Sequence, residues 1–163
     1  MKKFLSLLIL LTITISFSAC SANTPKEKTF SSSGMEITLT SEFTQKSMAN
    51  YTVCYESPNS AVFVLKESFS LMDGSEDMTL AEYGEMVRNS NSSHSPSSLS
   101  TANGITYFEY SYLNQSENIT YRYYTTVHKG SDAFWLIQFV CPDSQYTTQK
   151  TNFVTFAKSI SIS

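Results

Sequence analysis

From Ala133 to Cys141 the chain reads Ala-Phe-Trp-Leu-Ile-Gln-Phe-Val-Cys, apolar at every position but Gln138. Alternate residues of a strand point to opposite faces, so this strand has two apolar faces. It belongs in the middle of a sheet that is covered on both sides. Pro142 has no N–H to donate and marks the end of the strand. A helix is expected next, from Ser144 to Ile160, with Tyr146, Phe153, Ala157 and Ile160 along one stripe and Phe156 beside it. A second helix is announced by Thr79-Leu-Ala-Glu82, a capping box. Met78 and Tyr83 stand at the staple positions, and Leu80, Tyr83 and Val87 recur at helical spacing. The helix fades by Asn89.

The remaining apolar residues alternate as in strands. Lys28–Ser32, Met35–Thr40, Tyr51–Tyr55 and Ala61–Leu65 precede the first helix, and Ile105–Leu113 and Ile119–Val127 follow it. Ser57-Pro-Asn-Ser60 is turn chemistry and joins two of them as a hairpin. The fold class expected is α+β: an antiparallel β-sheet flanked by helices, an α/β/α sandwich. Between Asn89 and Asn103 the chain is rich in Ser and Asn and reads as a long polar surface loop.

The start of the chain is an address. Lys2 and Lys3 precede an unbroken apolar run from Phe4 to Phe17. That is the length of a signal-peptide core and short for a ~30 Å hydrocarbon layer. Ser18-Ala19-Cys20 resembles the lipobox of bacterial lipoproteins, which implies a lipid on Cys20 and cleavage before it. The alternative is an ordinary secretory peptide cut after Ala19. The organisation expected is a signal peptide over 1–19, a lipidated Cys20 and polar tether over 20–27, and one globular domain over 28–163. Residues 1–19 carry two lysines and no acids of a total of 11 bases and 14 acids, so the mature chain has a net charge of −5. That argues against nucleic acid as a partner and gives no attraction to an anionic lipid surface, leaving the lipid itself as the anchor.

Few residues carry the spacing of a chemical site. Cys54 and Cys141 form a disulfide, which an exported compartment permits, or remain two buried thiols. His94 and His128 are the only histidines, and no serine sits in a Gly-X-Ser-X-Gly elbow. Both read as surface residues. Asp73-Gly-Ser-Glu-Asp77 gathers three acids, but its spacing misses the EF-hand loop, so a solvated lead into the helix is expected and no metal. Tyr107, Tyr110, Tyr112, Tyr121, Tyr123 and Tyr124 crowd two paired strands and form the candidate binding surface. Alternation puts Tyr107 on one face and Tyr110 and Tyr112 on the other, so not all can be exposed.

Six segments taken together resemble the PsbP-like superfamily: Gly34–Phe43, Thr79–Tyr83, Gly104–Tyr110, Tyr121–Tyr124, Phe134–Phe139 and Phe153–Ile160. Thr40-Ser41 stands where that family often has Pro. The resemblance implies an antiparallel sheet between helices and no particular chemistry, its members being mostly accessory and binding proteins. The expectation is a non-enzymatic, lipid-anchored module on the outer face of the cell membrane, without cofactor, that binds a protein or envelope component. The alternative is a small-molecule or glycan receptor.

Overall fold

The computed structural model describes residues 26–72 and 75–163. Ten strands and two α-helices follow in the order β1 (Glu27–Ser32), β2 (Met35–Thr40), β3 (Thr44–Lys46), β4 (Val53–Glu56), β5 (Ala61–Ser68), α1 (Leu80–Ser90), β6 (Ser100–Ala102), β7 (Ile105–Asn114), β8 (Ile119–Lys129), β9 (Ala133–Pro142), α2 (Asp143–Lys158) and β10 (Ser161–Ile162). Seven of the strands form one antiparallel sheet in the order β3-β4-β5-β9-β8-β7-β6. The fold is α+β, as expected, but the strands divide between two sheets. β1, β2 and the two-residue β10 form a small sheet of their own, in the order β1-β2-β10.

β9 is the middle strand of the large sheet, and its two apolar faces meet two cores. Trp135, Ile137, Phe139 and Cys141 pack with Phe153 and Phe156 of α2 and with Met35, Ile37 and Leu39 of β2. Phe134 packs on the other face with Tyr83 and Val87 of α1, joined by Leu136. The clean alternation of β2 explains its place: its three apolar side chains are wholly buried, while Glu36 is exposed. The β1–β2 hairpin closes through Ser33 and Gly34, both at positive φ, the type I′ pattern that matches strand twist.

The capping box forms as its residues require. Thr79 Oγ1 accepts from the Glu82 amide at 3.2 Å, and the Thr79 amide donates to Glu82 Oε2 at 2.8 Å. The Thr79 hydroxyl also donates to Glu82 Oε2, at 2.7 Å, and the amide and hydroxyl of Thr79 together hold the Glu82 carboxyl below its ordinary pKa.

The segment 89–103 is not the free loop its composition suggests. A 3-10 turn, Ser92–His94, follows α1, and β6 then pairs with β7. The Ser97 amide donates to the Glu109 carbonyl at 2.8 Å, and Ser97 Oγ accepts from the Glu109 amide at 3.0 Å. Leu99 is the anchor. It lies so close to Gly84 of α1 that a Cβ there would sit 2.9 Å from its Cδ2. Small polar side chains leave the backbone free to pair, and a single Leu suffices to fix the segment on the helix. Among the described residues no helix is long and apolar enough to cross a membrane.

Candidate tyrosine groove

The β7–β8 register sets Tyr110 opposite Tyr123 and Tyr112 opposite Tyr121. These four rings share the face that carries α1: Tyr110 joins the core beneath that helix, Tyr123 packs at its edge, and Tyr112 and Tyr121 lie beyond it. Tyr110 and Tyr123 stack in parallel, 4.6 Å apart at 4°. Tyr110 is only 7% exposed, and its hydroxyl accepts a bond from Gln138 Nε2 at 2.9 Å. That bond accounts for the one polar residue of β9, because a buried amide needs a partner. His94 lies over Tyr110 and edge-on to Tyr112, with ring centroids 5.8 and 5.4 Å apart. Tyr112 is 42% exposed. The Tyr121 hydroxyl donates to Glu117 Oε2 at 2.8 Å.

Tyr112, Tyr121 and Tyr123 form one bank of a groove of about 560 Å³. Its other bank is the β4–β5 turn, with Met48 and Phe63, and Val140 and Pro142 of β9 lie between. Glu56 and Glu117 also line it, and neither takes part in an ion pair among the described residues. Burial raises the phenol pKa of Tyr110, and raises that of Tyr123 to about 12, so both stay neutral in ordinary buffers.

Tyr107 and Tyr124 lie on the opposite face, their rings 4.9 Å apart. There Glu109, with 12% of its side chain exposed, accepts from Tyr146 at 2.7 Å and Lys150 at 2.6 Å, and Arg122 approaches to 3.8 Å. This cluster ties α2 to the sheet. The six tyrosines are therefore two groups. Tyr112, Tyr121 and Tyr123 line the groove, Tyr110 supports it from beneath, and Tyr107 and Tyr124 belong to the covered face. Sequence reasoning did not reach Phe63, Met48 and the β4–β5 turn, whose meeting with the tyrosines depends on the strand order β5-β9-β8.

The other candidates separate. Cys54 and Cys141 are free thiols and both are buried, so the disulfide does not form. Cys54 stands opposite Phe63 on the groove face, two strands from β9, whereas Cys141 points into the α2-side core. Two strand spacings across the sheet, and the three residues along β9 from Gln138, in register with Cys54, to Cys141, put them well over ~10 Å apart, on opposite faces, beyond the span of a disulfide. Burial raises both thiol pKa values, that of Cys141 to about 11, which disfavours thiolate chemistry.

His128 is half-buried rather than a surface residue. It stands opposite Trp135 on the α2 side and is bonded through Nε2 to Thr126 Oγ1 at 3.1 Å. Burial lowers its pKa to about 4. His94 lies on the other face, so the two histidines do not meet. No group of three or more His, Cys, Asp or Glu residues placed to hold a metal occurs among the described residues. Within the acidic segment 73–77, Asp73 and Gly74 lie outside the described residues, and the Glu76 carbonyl accepts from Lys129 Nζ at 2.8 Å. The signal peptide, Cys20 and the tether up to residue 25 also lie outside them.

A second groove, of about 470 Å³, lies on the far side of the β4–β5 turn, between β2 and α2. Glu27 lines it, so the first strand starts at the same end of the domain as both grooves.

No protein-family model matches the chain, and no curated protein does. Solved structures do. The solution structure of the cyanobacterial PsbP protein from Synechocystis sp. PCC 6803 aligns with a TM-score of 0.57 at 11% identity, over 90% of this chain and 98% of that one. A Bacteroides thetaiotaomicron crystal structure aligns at 0.56 and 11% identity, over 83% of this chain and 48% of that one. LpqN of Mycobacterium tuberculosis, involved in cell envelope biogenesis, aligns at 0.52 and 11% identity, over 86% and 92%. A sheet of this order held between two helices, matched over nearly the whole length of the cyanobacterial protein, is a PsbP-like fold.

Proposed function

We propose that the chain is a lipid-anchored, extracytoplasmic and non-enzymatic binding module, and that the tyrosine groove is its binding face. The groove carries the proposal. It is a concave strip of aromatic side chains on a rigid sheet, Tyr112 exposed and Tyr121, Tyr123 and Phe63 half-buried, the kind of surface that presents apolar area with polar tips at little entropic cost. The apolar run and Ser18-Ala19-Cys20 support the anchor, with lipid chains each contributing ~0.8 kcal/mol per buried CH₂. The fold-level likeness to an envelope-biogenesis protein supports an accessory role in the envelope.

The test has two arms. Cys20→Ser should move the protein from the membrane to the soluble fraction, and its retention in the membrane would remove the lipid anchor. Tyr112→Ala with Tyr121→Ala should abolish capture of the bound component from native membranes at unchanged stability. Undiminished capture would remove the groove. A second reading, a receptor for a small molecule, is favoured by the size of the groove, which falls within the usual range for such sites.

A further inference from the structure

We infer that the groove binds a small organic ammonium ion, held over the tyrosine rings between Glu56 and Glu117; this rests on the groove being the binding face. Two observations define the charge of the occupant. The groove is lined by two carboxylates and by no Lys, Arg or His. Glu56 ends β4 on one bank, and Glu117 sits in the β7–β8 turn on the other, so a ligand between them feels both. The nearest bases stay outside the lining: His94 packs edge-on behind Tyr112, and Arg122, in register with Cys141, lies on the opposite face, where it turns to Glu109 and Asp143.

The rings supply the second element. Tyr112, Tyr121, Tyr123 and Phe63 line the same space, and Tyr123 and Phe63 are held by stacking on Tyr110 and Tyr51 behind them. A ring face carries negative quadrupole charge and attracts a cation within about 6 Å, most of all a methylated ammonium that is poorly hydrated. Tyr121 donates its hydroxyl to Glu117, which holds ring and carboxylate together as one unit. An apolar body attached to the ammonium meets Val140, Pro142 and Met48. The same charge argues against an anionic lipid surface as the occupant. The second groove repeats it, with Glu27 and Glu42 in its lining and no base.

The probes are choline and its uncharged isostere 3,3-dimethylbutan-1-ol, titrated into the full lipidated protein in micelles of an uncharged polyoxyethylene detergent. The readout is the ¹³C-methyl resonance of Met48, which lines the groove, with the wholly buried Met35 as internal control. Choline should shift Met48 saturably and leave Met35 unmoved. The isostere should bind at least about tenfold more weakly, and added salt should weaken choline alone. Glu56→Gln with Glu117→Gln should weaken choline about tenfold; the amide oxygen at 117 still accepts from Tyr121, so the fold is spared. Equal binding of choline and the isostere, or no change in the double variant, would overturn the inference. So would a Met48 response to N-acetylglucosamine or to trilysine with none to choline, which would leave the groove as the binding face with a different occupant. If no probe moves Met48 and the tyrosine substitutions also leave capture intact, the groove itself is not the site.

Discussion

The two faces of the large sheet are covered to different extents. On one, the 16-residue α2 and the small sheet lie across β9 and β8, and Glu109 is clamped by Tyr146 and Lys150. On the other, α1 has 11 residues and is about 16 Å long, whereas β8 also has 11 residues and runs about 37 Å. A helix cannot cover a strand of the same residue count. The uncovered part is where Tyr112, Tyr121 and Tyr123 stand. Tyrosine is thus read differently by each face: Tyr124 of β8 is core, while Tyr112 of β7, on the other face, is surface.

The comparison predicts where substitutions are costly. Phe153→Ala removes a wholly buried ring from the α2 side and should destabilise by about 4 kcal/mol in chemical denaturation. A loss below about 1 kcal/mol would mean that α2 is not the seal described.

The next effect is pH-dependent. His128 has a folded pKa of about 4 against an ordinary 6.5. Between those values the unfolded chain binds a proton that the folded chain excludes, so stability falls as pH drops through 6.5 and levels off near 4. The difference is about 3 kcal/mol. His128→Gln should flatten that part of the stability–pH curve, and an unchanged curve would place His128 in solvent.

Glu109→Gln should cost about 2 kcal/mol. It removes the negative charge facing Lys150 and Arg122, both of which are part-exposed and recover some hydration. The smallest stability effect belongs to the open face. Tyr112→Ala should change stability by less than about 0.5 kcal/mol, the ordinary range for an exposed position. Equal costs for Glu109→Gln and Tyr112→Ala would erase the distinction between the faces.

Much of this arrangement is legible in the residues. The double apolar character of Ala133–Cys141 places β9 at the centre, and Thr79-Leu-Ala-Glu82 starts α1 where its hydroxyl and carboxylate can satisfy the first amides. Alternation alone separates Tyr107 from Tyr110 and Tyr112. What composition hides is pairing that needs little apolar area. β6 is Ser-Thr-Ala and wholly exposed, and β10 is two residues long. Asn103-Gly104, both at positive φ, carries the strongest short hairpin signal between β6 and β7, yet the strand before it has no apolar alternation to support it. The two cysteines mislead for a related reason. Their faces follow from strand register, and 87 positions of sequence separation say nothing about it. The groove is legible by half, since its tyrosine bank lies on adjacent strands, whereas its second bank comes from the β4–β5 turn, Met48 and Phe63, 49 or more positions earlier.

The central claim is that the open end of the α1 face, and not the sealed face, meets the bound component. The most direct measurement places a photo-cross-linking amino acid at position 112 in one variant and at the exposed position 151 of α2 in another, each irradiated in native membranes. The account predicts a discrete adduct from position 112, lost when Tyr121→Ala is added, and none from position 151. An adduct from position 151 alone would contradict it.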